Sequence, residues 1–504
     1  MTASGQPGPP DERPDDGAPV TVPTVTAKQT AKAAGALAAA EVAGKLASFV
    51  MLALAARELG VDDFGSFSWA FAIGMLANSF VVWGFDIVQV REGSKHPDRV
   101  PGILTNIFAM RVVMGAVALA VVMVATWNDP ESTPAVMFLV TLACLVDTVN
   151  DSVRAAAAAY RKLAMFSKHL VIQRLLTAGL AVAALLAGGG LLAFSAAYCL
   201  GTILGVVWIM RVSSSMGAPI RWGSLSWPTM KWLIKESKVL GIFTIVNMAV
   251  FRIDTIMLGS LGSVADVGYY AVAYKMFETV LFLIWSVARV AAPEIASATV
   301  VRTARRTYET AVASALSLMT PYVVVLIVSG GAVAALIFGG DYQQGADVAT
   351  AWLGLALIPY TVQYLSGSAI IARGHNVTVL VASATALVVN VGLNIWLIPL
   401  YGAAGAAFAT MITLVAQGAV LMVTVWRTFA GVSLWRPLLH LPIAGAAMVP
   451  ILLWDVPIVV SAPLAGIGYV LVWFAVGRLV DPAAVTGVID LVRREKKDQG
   501  KEAS

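Results

Sequence analysis

The chain is a succession of apolar stretches, about fourteen in number and each long enough to cross a bilayer, separated by short polar connections. About 20 apolar residues span the ~30 Å hydrocarbon layer as a helix. Inside lipid no water satisfies the backbone, so each stretch must bond to itself, as a helix does. The stretches lie at about 31–56, 65–90, 102–127, 135–157, 170–187, 191–210, 308–329, 349–371, 377–399, 403–426, 438–454 and 459–477, with two more around 247–294. Composition agrees: 59% of residues are hydrophobic, 12% are charged and the mean hydropathy is +0.81. A soluble protein carries about twice that charge. The fold expected is therefore all-α and polytopic, with about 14 transmembrane helices.

The net charge of +5 and pI near 9.1 resemble nucleic-acid-binding values, but the bases sit in connections between spans. Counted from the N-terminus, the even-numbered connections hold Arg91, Lys95 and Arg99, then Arg161, Lys162 and Lys168, then Arg211, Arg221, Lys231 and Lys235. The later ones hold Arg302, Arg305 and Arg306, then Arg373, then Arg427 and Arg436. Odd-numbered connections such as WNDPESTP and FGGDYQQGAD lack them. Basic loops stay in the cytoplasm, which predicts a multi-pass cell-membrane protein with both termini cytoplasmic and no nucleic-acid partner. Cys144 and Cys199 lie within apolar segments and read as buried thiols. The four histidines are scattered, no metal-binding pattern is present, and no catalytic motif marks an enzyme.

Charges inside the spans are the candidate functional residues, because each costs about 2.5–3.5 kcal/mol at the bilayer centre. Glu41 and Lys45 are four apart on the first span and form either a self-neutralising pair or a cavity pair. Asn78 and Asp86 share a face of the second, where Asp86 could also reach interfacial water. Asp151 and Arg154, three apart near the end of the fourth, are placed to pair. Arg252 and Asp254 are about 200° apart on the seventh, so both cannot face one narrow path, and one is expected to cap the helix end. On the eighth, Glu278 falls about 60° and Arg289 about 40° from Lys275. The three make one polar stripe down an otherwise apolar helix, about 21 Å long, which suggests a passage for something polar and charged. Arg289 could equally snorkel to water. Trp69, Tyr270 and Tyr274 are the aromatics offered for stacking on a ligand, with interfacial anchoring as the alternative.

The turn ELGVDDFGSFSWAFA after the first span matches SLGSVADVGYYAVAYK after the seventh, with Gly65 aligned to Gly268. This predicts two pseudo-symmetric six-helix lobes plus two C-terminal helices. The domains expected are a disordered cytoplasmic tail at 1–30, an N-terminal lobe at 31–211 and a cytoplasmic linker at 212–236. A C-terminal lobe at 237–427, two further helices at 428–480 and a basic cytoplasmic tail at 481–504 complete them. Residues 230–237 read as a short interfacial helix.

With ARELGVDDFGSFSWAFA, RIDTIMLG and VGYYAVAYK in view, the chain resembles the oligosaccharide flippases of the multidrug/oligosaccharidyl-lipid/polysaccharide (MOP) exporter superfamily. The resemblance implies a two-lobed bundle around a central cavity lined by the first two helices of each lobe. It implies an undecaprenyl-pyrophosphate-linked oligosaccharide as substrate, carried to the outer leaflet for cell-surface polysaccharide assembly by alternating access. Other polysaccharide-assembly membrane proteins, and membrane lipids, are the implied partners. No cofactor is implied, and a coupling proton or sodium ion is left open. The substrate-cavity set is then Glu41, Lys45, Asn78, Asp86, Arg252, Asp254, Lys275, Glu278 and Arg289, with no catalytic or metal site. The bases suit a pyrophosphate, and the carboxylates could pair with them, contact sugar hydroxyls or carry the coupling ion. The alternatives are a cation-coupled multidrug exporter, a peptidoglycan lipid-precursor flippase, and a membrane polysaccharide polymerase or ligase. The mixed charges weigh against the exporter. The short outward connections weigh against the polymerase or ligase.

Overall fold

The computed structural model describes the backbone of residues 27–434 and 438–480, and side chains from residue 44 to 434 and 438 to 478. The tails expected at 1–30 and 481–504 lie outside the described residues except for the start of the first helix, as do Arg436 and the side chain of Glu41.

The described residues are helical throughout, with no strand. In order they form α1 (Ala27–Val82), α2 (Phe85–Lys95), α3 (Val100–Thr126), α4 (Pro134–Ala159), α5 (Leu163–Leu186), α6 (Gly190–Ser215) and α7 (Trp227–Leu261). Next come α8 (Val264–Thr279), α9 (Leu281–Ser297), α10 (Val301–Phe338), α11 (Tyr342–Gly345), α12 (Asp347–Ala372) and α13 (Asn376–Thr428). The chain ends in α14 (His440–Ala446), α15 (Val449–Leu452) and α16 (Ile458–Val480).

Among the described residues, 11 helical stretches are long and apolar enough to cross a membrane, fewer than the fourteen expected. Two stretches account for much of the difference, because they run far past one bilayer. Gly44–Lys95 has 52 residues and Asn376–Thr428 has 53, whereas one span needs about 20. Each is folded at a glycine: Gly60 has φ 76 and ψ −176, and Gly402 has φ 51 and ψ −130. A side chain at positive φ is strained, and glycine is not. The third shortfall is His440–Leu452, apolar but short. Gly60 also changes the reading of the first turn. The glycine with the special backbone is the one in LG, while Gly65 and its partner Gly268 lie inside helices.

The chain divides into two compact units, Met1–Ile256 and Met257–Ser504. The division falls inside α7 and not in the 212–236 linker. The expected short interfacial helix is also absent as a separate element: residues 230–237 belong to α7, which runs unbroken for 35 residues.

In the first unit α1 packs on α3, α4, α5 and α6, and α4 also packs on α2, α3 and α6. Small residues permit these approaches. A methyl group on Gly74 would meet Cys144 Sγ at 2.9 Å, and one on Gly205 would collide with Gln173. On α3, Val113, Val117, Val121 and Val124 are all more than half exposed and share one side, as a lipid-facing helix requires. Arg111 lies about 160° away from Val113 and is 3% exposed. Both cysteines are buried free thiols.

In the second unit α12 packs on α8, α9, α10 and α13. α8 starts with a capping arrangement: Ser263 Oγ accepts from the Asp266 amide at 3.1 Å and donates to Asp266 Oδ2 at 2.8 Å. Asp266 Oδ1 also accepts from Ala403 N at 3.1 Å, which ties the start of α8 to the Gly402 fold in α13.

Candidate functional site

Each compact unit carries its own polar constellation. In the first, the chain turns sharply at Trp83 (φ 45) and Gly84 (φ 72), and α2 begins at once with Phe85 and Asp86. A side chain on Gly84 would strike Leu240, so α7 lies directly against this turn. The turn aims Asp86 at α3, where Arg111 Nη2 donates to both carboxylate oxygens at 2.9 Å. Arg111 Nη1 donates to the carbonyl of Thr148 on α4. Three helices thus converge on one guanidinium whose side chain is 2% exposed, against 20% for Asp86. Asp86 is thus tied to α3 by an ion pair while a fifth of its side chain stays exposed. Sequence reasoning missed Arg111, although a lone arginine in the middle of IFAMRVVMG was a visible signal.

Next to Thr148 on α4, Asp147 accepts from Asn150 at 2.7 Å and from Gln173 at 3.3 Å, with Arg174 at 3.5 Å. Asn150 also donates to Gln173 Oε1 at 2.9 Å. Asp151 and Arg154 pair at 2.8 Å, as their spacing suggested, and are 33% and 49% exposed. Asn78 donates to the Cys144 carbonyl at 2.7 Å, so its amide serves helix packing. Lys45 is exposed on α1. On α7, the Arg252 guanidinium lies 5.8 Å from the Phe71 ring centroid, and Asp254 is 2% exposed.

In the second unit, Lys275 Nζ donates to Glu278 Oε2 at 3.2 Å, one turn apart on α8, both side chains about one quarter exposed. Arg289 is exposed on α9. The single straight stripe does not form. α8 ends at Thr279, Val280 has φ −98 and ψ −7, and α9 begins at Leu281. Angles counted at 100° per residue do not carry across that break, so Lys275 and Glu278 make one local pair and Arg289 stands on another helix.

Beside these charges lies a group of rings. Trp285 Nε1 donates to Tyr360 Oη at 3.1 Å. Tyr360 stacks on Tyr364 at 5.8 Å between centroids, with Trp285 6.3 Å from Tyr364 and Phe277 edge-on to Tyr360 at 5.5 Å. Trp285 and Tyr364 are half-buried and keep ring surface accessible. The aromatics singled out from sequence are instead core residues: Trp69 is 1%, Tyr270 0% and Tyr274 6% exposed. Trp69 Nε1 donates to the Ile256 carbonyl at 3.1 Å, and Tyr270 Oη pairs with Thr410 Oγ1 at 3.2 Å. Among the described residues no group of three or more His, Cys, Asp or Glu side chains could hold a metal ion.

Known structures share this fold. The chain is similar to lipid II flippase MurJ in an inward closed conformation, with a TM-score of 0.71 and 13% identity over 88% of this chain and 98% of that one. It is similar to an inward-facing multidrug resistance MATE family transporter of the MOP superfamily, with a TM-score of 0.64 and 13% identity over 77% and 94%. A MOP superfamily transporter from Pyrococcus furiosus aligns with a TM-score of 0.56 and 13% identity over 80% and 96%. The chain therefore shares its fold with these membrane transporters. The chain belongs to the family described as "Polysaccharide biosynthesis protein", which matches residues 30–299. No curated protein matches it in sequence.

Proposed function

We propose that the protein moves a polyprenyl-pyrophosphate-linked oligosaccharide from the cytoplasmic to the outer leaflet by alternating access, for cell-surface polysaccharide assembly. Membership of the polysaccharide-biosynthesis family carries this reading. The chemistry agrees with it. Such a lipid has a tail that can stay in the bilayer and a polar head that must be shielded from it. Lys275 and Arg289 supply positive charge for the pyrophosphate, and Trp285 and Tyr364 supply ring faces for sugar C–H surfaces. Glu278 holds Lys275 when no anion is present. In the first unit Asp86–Arg111, Asp147–Arg174 and Asp151–Arg154 keep charge matched within the bundle.

The remaining assignments follow from this reading. Splitting each long stretch at its glycine raises 11 spans to thirteen, and His440–Leu452 makes about fourteen. The N-terminal lobe covers 31–211, the C-terminal lobe 237–427 and the two added helices 428–480. Alternating basic connections put both termini in the cytoplasm. Glu41, Lys45, Asn78, Asp86, Arg252, Asp254, Lys275, Glu278 and Arg289 remain the proposed cavity set, with Asn78 the member held to a backbone carbonyl.

The fold comparison favours a second reading, in which the substrate is the peptidoglycan lipid precursor, because lipid II flippase MurJ aligns over 88% of this chain. Both substrates join a polyprenyl tail, a pyrophosphate and sugars, so one assay separates them. The purified protein is reconstituted in liposomes with a fluorescent polyprenyl-pyrophosphate oligosaccharide or with fluorescent lipid II. Leaflet transfer is followed with and without proton or sodium gradients. Faster transfer of the oligosaccharide lipid supports the first reading, and faster transfer of lipid II supports the second. Export of a cationic dye with neither lipid moved would overturn both.

A further inference from the structure

α7 is longer than a membrane span needs. Its 35 residues measure about 52 Å, against ~30 Å of hydrocarbon and ~40–45 Å with headgroups. A tilt of about 30°, within the usual range, makes the helix span the full bilayer including both headgroup layers. Its N-terminal half then crosses the headgroups of one leaflet.

The two sides of that half differ. Met230, Leu233, Ser237 and Leu240 fall within about 80° of one another. Leu233 and Ser237 are 0% exposed. Leu233 packs with Phe85, Val88, Ile103, Ile107 and Met110, and Met230 and Leu240 lie against the same cluster. The acidic residue of this segment, Glu236, lies about 100° beyond the edge of the arc that carries the lysines, and is held by Arg91 at 2.7 Å. The opposite arc, about 100° wide, carries Trp227, Lys231, Ile234, Lys235, Lys238 and Ile242. All six are exposed: Trp227 is 64%, Ile234 44% and Ile242 52%. No acid lies on this arc. Lys231 Nζ rests 5.5 Å from the Trp227 ring centroid.

The approach to the helix is fixed as well. Asn106 on α3 donates to the Ser224 carbonyl at 2.9 Å and accepts from the Ser226 amide at 2.9 Å. The Arg221 amide donates to Thr105 Oγ1 at 2.9 Å. Arg221 and Trp222 stay exposed, the latter at 61%.

We propose that this outer face of α7 is a docking surface for the phosphates of anionic phospholipids in the adjoining leaflet. Lysines alternate with Trp227, Ile234 and Ile242 on one face, so the apolar groups enter the acyl boundary while the ammonium groups meet the headgroups. The absence of acids makes the face attractive to anionic lipid, and each lysine near such a surface contributes about fivefold in affinity. Because this half of α7 packs against α2 and α3, lipid held here bears on its position there.

The test uses the full-length protein in neutral detergent. Native mass spectrometry reads retention of phosphatidylglycerol and of phosphatidylcholine. The triple variant Lys231→Gln, Lys235→Gln, Lys238→Gln should bind phosphatidylglycerol on the order of a hundredfold more weakly, with phosphatidylcholine retention unchanged. Replacing all three by Arg should keep binding. Should the triple variant not fold, Lys235→Gln alone should show about a fivefold loss. Brominated phosphatidylglycerol should quench fluorescence less in Trp227→Phe than in the parent. Undiminished phosphatidylglycerol binding in the Gln variants would overturn the proposal. Equal displacement by millimolar inorganic phosphate would reduce the face to a simple anion site, and lipid-independent pairing of two chains through it would make it a protein interface; either result overturns it too.

Discussion

The two compact units handle polar groups in the bilayer differently. The first keeps charges as pairs that join helices: Arg111 reaches from α3 to Asp86 on α2 and to Thr148 on α4. The second keeps its Lys275–Glu278 pair within one turn of α8, next in sequence to Phe277, whose ring joins a group from α8, α9 and α12. A pair between helices fixes their packing, because separating them exposes two charges to lipid. A pair within a helix fixes nothing beyond it and can open to a ligand at small cost. On the proposed function, the first unit would serve as the stiffer frame and the Lys275–Glu278 pair would open to the anionic head.

The largest expected effect tests the frame. Arg111→Ala leaves Asp86 without its guanidinium and should lower stability by about 3–5 kcal/mol, seen as a fall in thermal unfolding temperature in micelles. Asp86→Asn combined with Arg111→Met should recover much of the loss. A double variant no more stable than Arg111→Ala would mean that the pair is not the source.

The second unit should respond in transport more than in stability. Lys275→Ala removes a charge-assisted contact worth about 1.5–3 kcal/mol. Lipid transfer in liposomes should drop roughly 10- to 100-fold while the unfolding temperature holds. Arg289→Ala should behave alike. Unaltered transfer in both variants would remove these bases from the path.

A smaller change probes the rings. Trp285→Phe keeps a ring but loses the indole bond to Tyr360, about 1 kcal/mol. Transfer of a sugar-bearing polyprenyl pyrophosphate should slow about fivefold, with the sugar-free lipid unaffected. If both lipids slow equally, the indole serves packing alone. The smallest effect belongs to the exposed pair of the first unit. Asp151→Asn should cost at most about 1 kcal/mol. A loss matching that of Arg111→Ala would erase the distinction between buried and exposed pairs drawn here.

Much of the fold was legible in the chain. Span positions could be read because the requirement is local: about 20 apolar residues and an internally bonded backbone. The Asp151–Arg154 and Lys275–Glu278 pairs were legible for the same reason, since residues three apart share a helix face. What could not be read was which helices meet. Asp86 looked like a residue near water until α3 brought Arg111 to it, 25 positions away. Trp69, Tyr270 and Tyr274 looked available, and packing between helices buried them, leaving Trp285 and Tyr364 accessible instead.

The sequence by itself determined an all-helical chain of membrane-length apolar spans, because hydrophobic length and backbone self-bonding act over one or two turns. The break between α8 and α9 was decided elsewhere. No proline or glycine marks Val280. Thr279 Oγ1 turns back to the Lys275 carbonyl at 2.7 Å, and the Met276 carbonyl, which a continuous helix would give to Val280, accepts from Tyr322 Oη of α10 at 2.9 Å. A hydroxyl from a helix some forty residues away satisfies the carbonyl that the break leaves open. Only the packed bundle can supply that donor, and so only the tertiary structure separates Lys275 and Glu278 from Arg289.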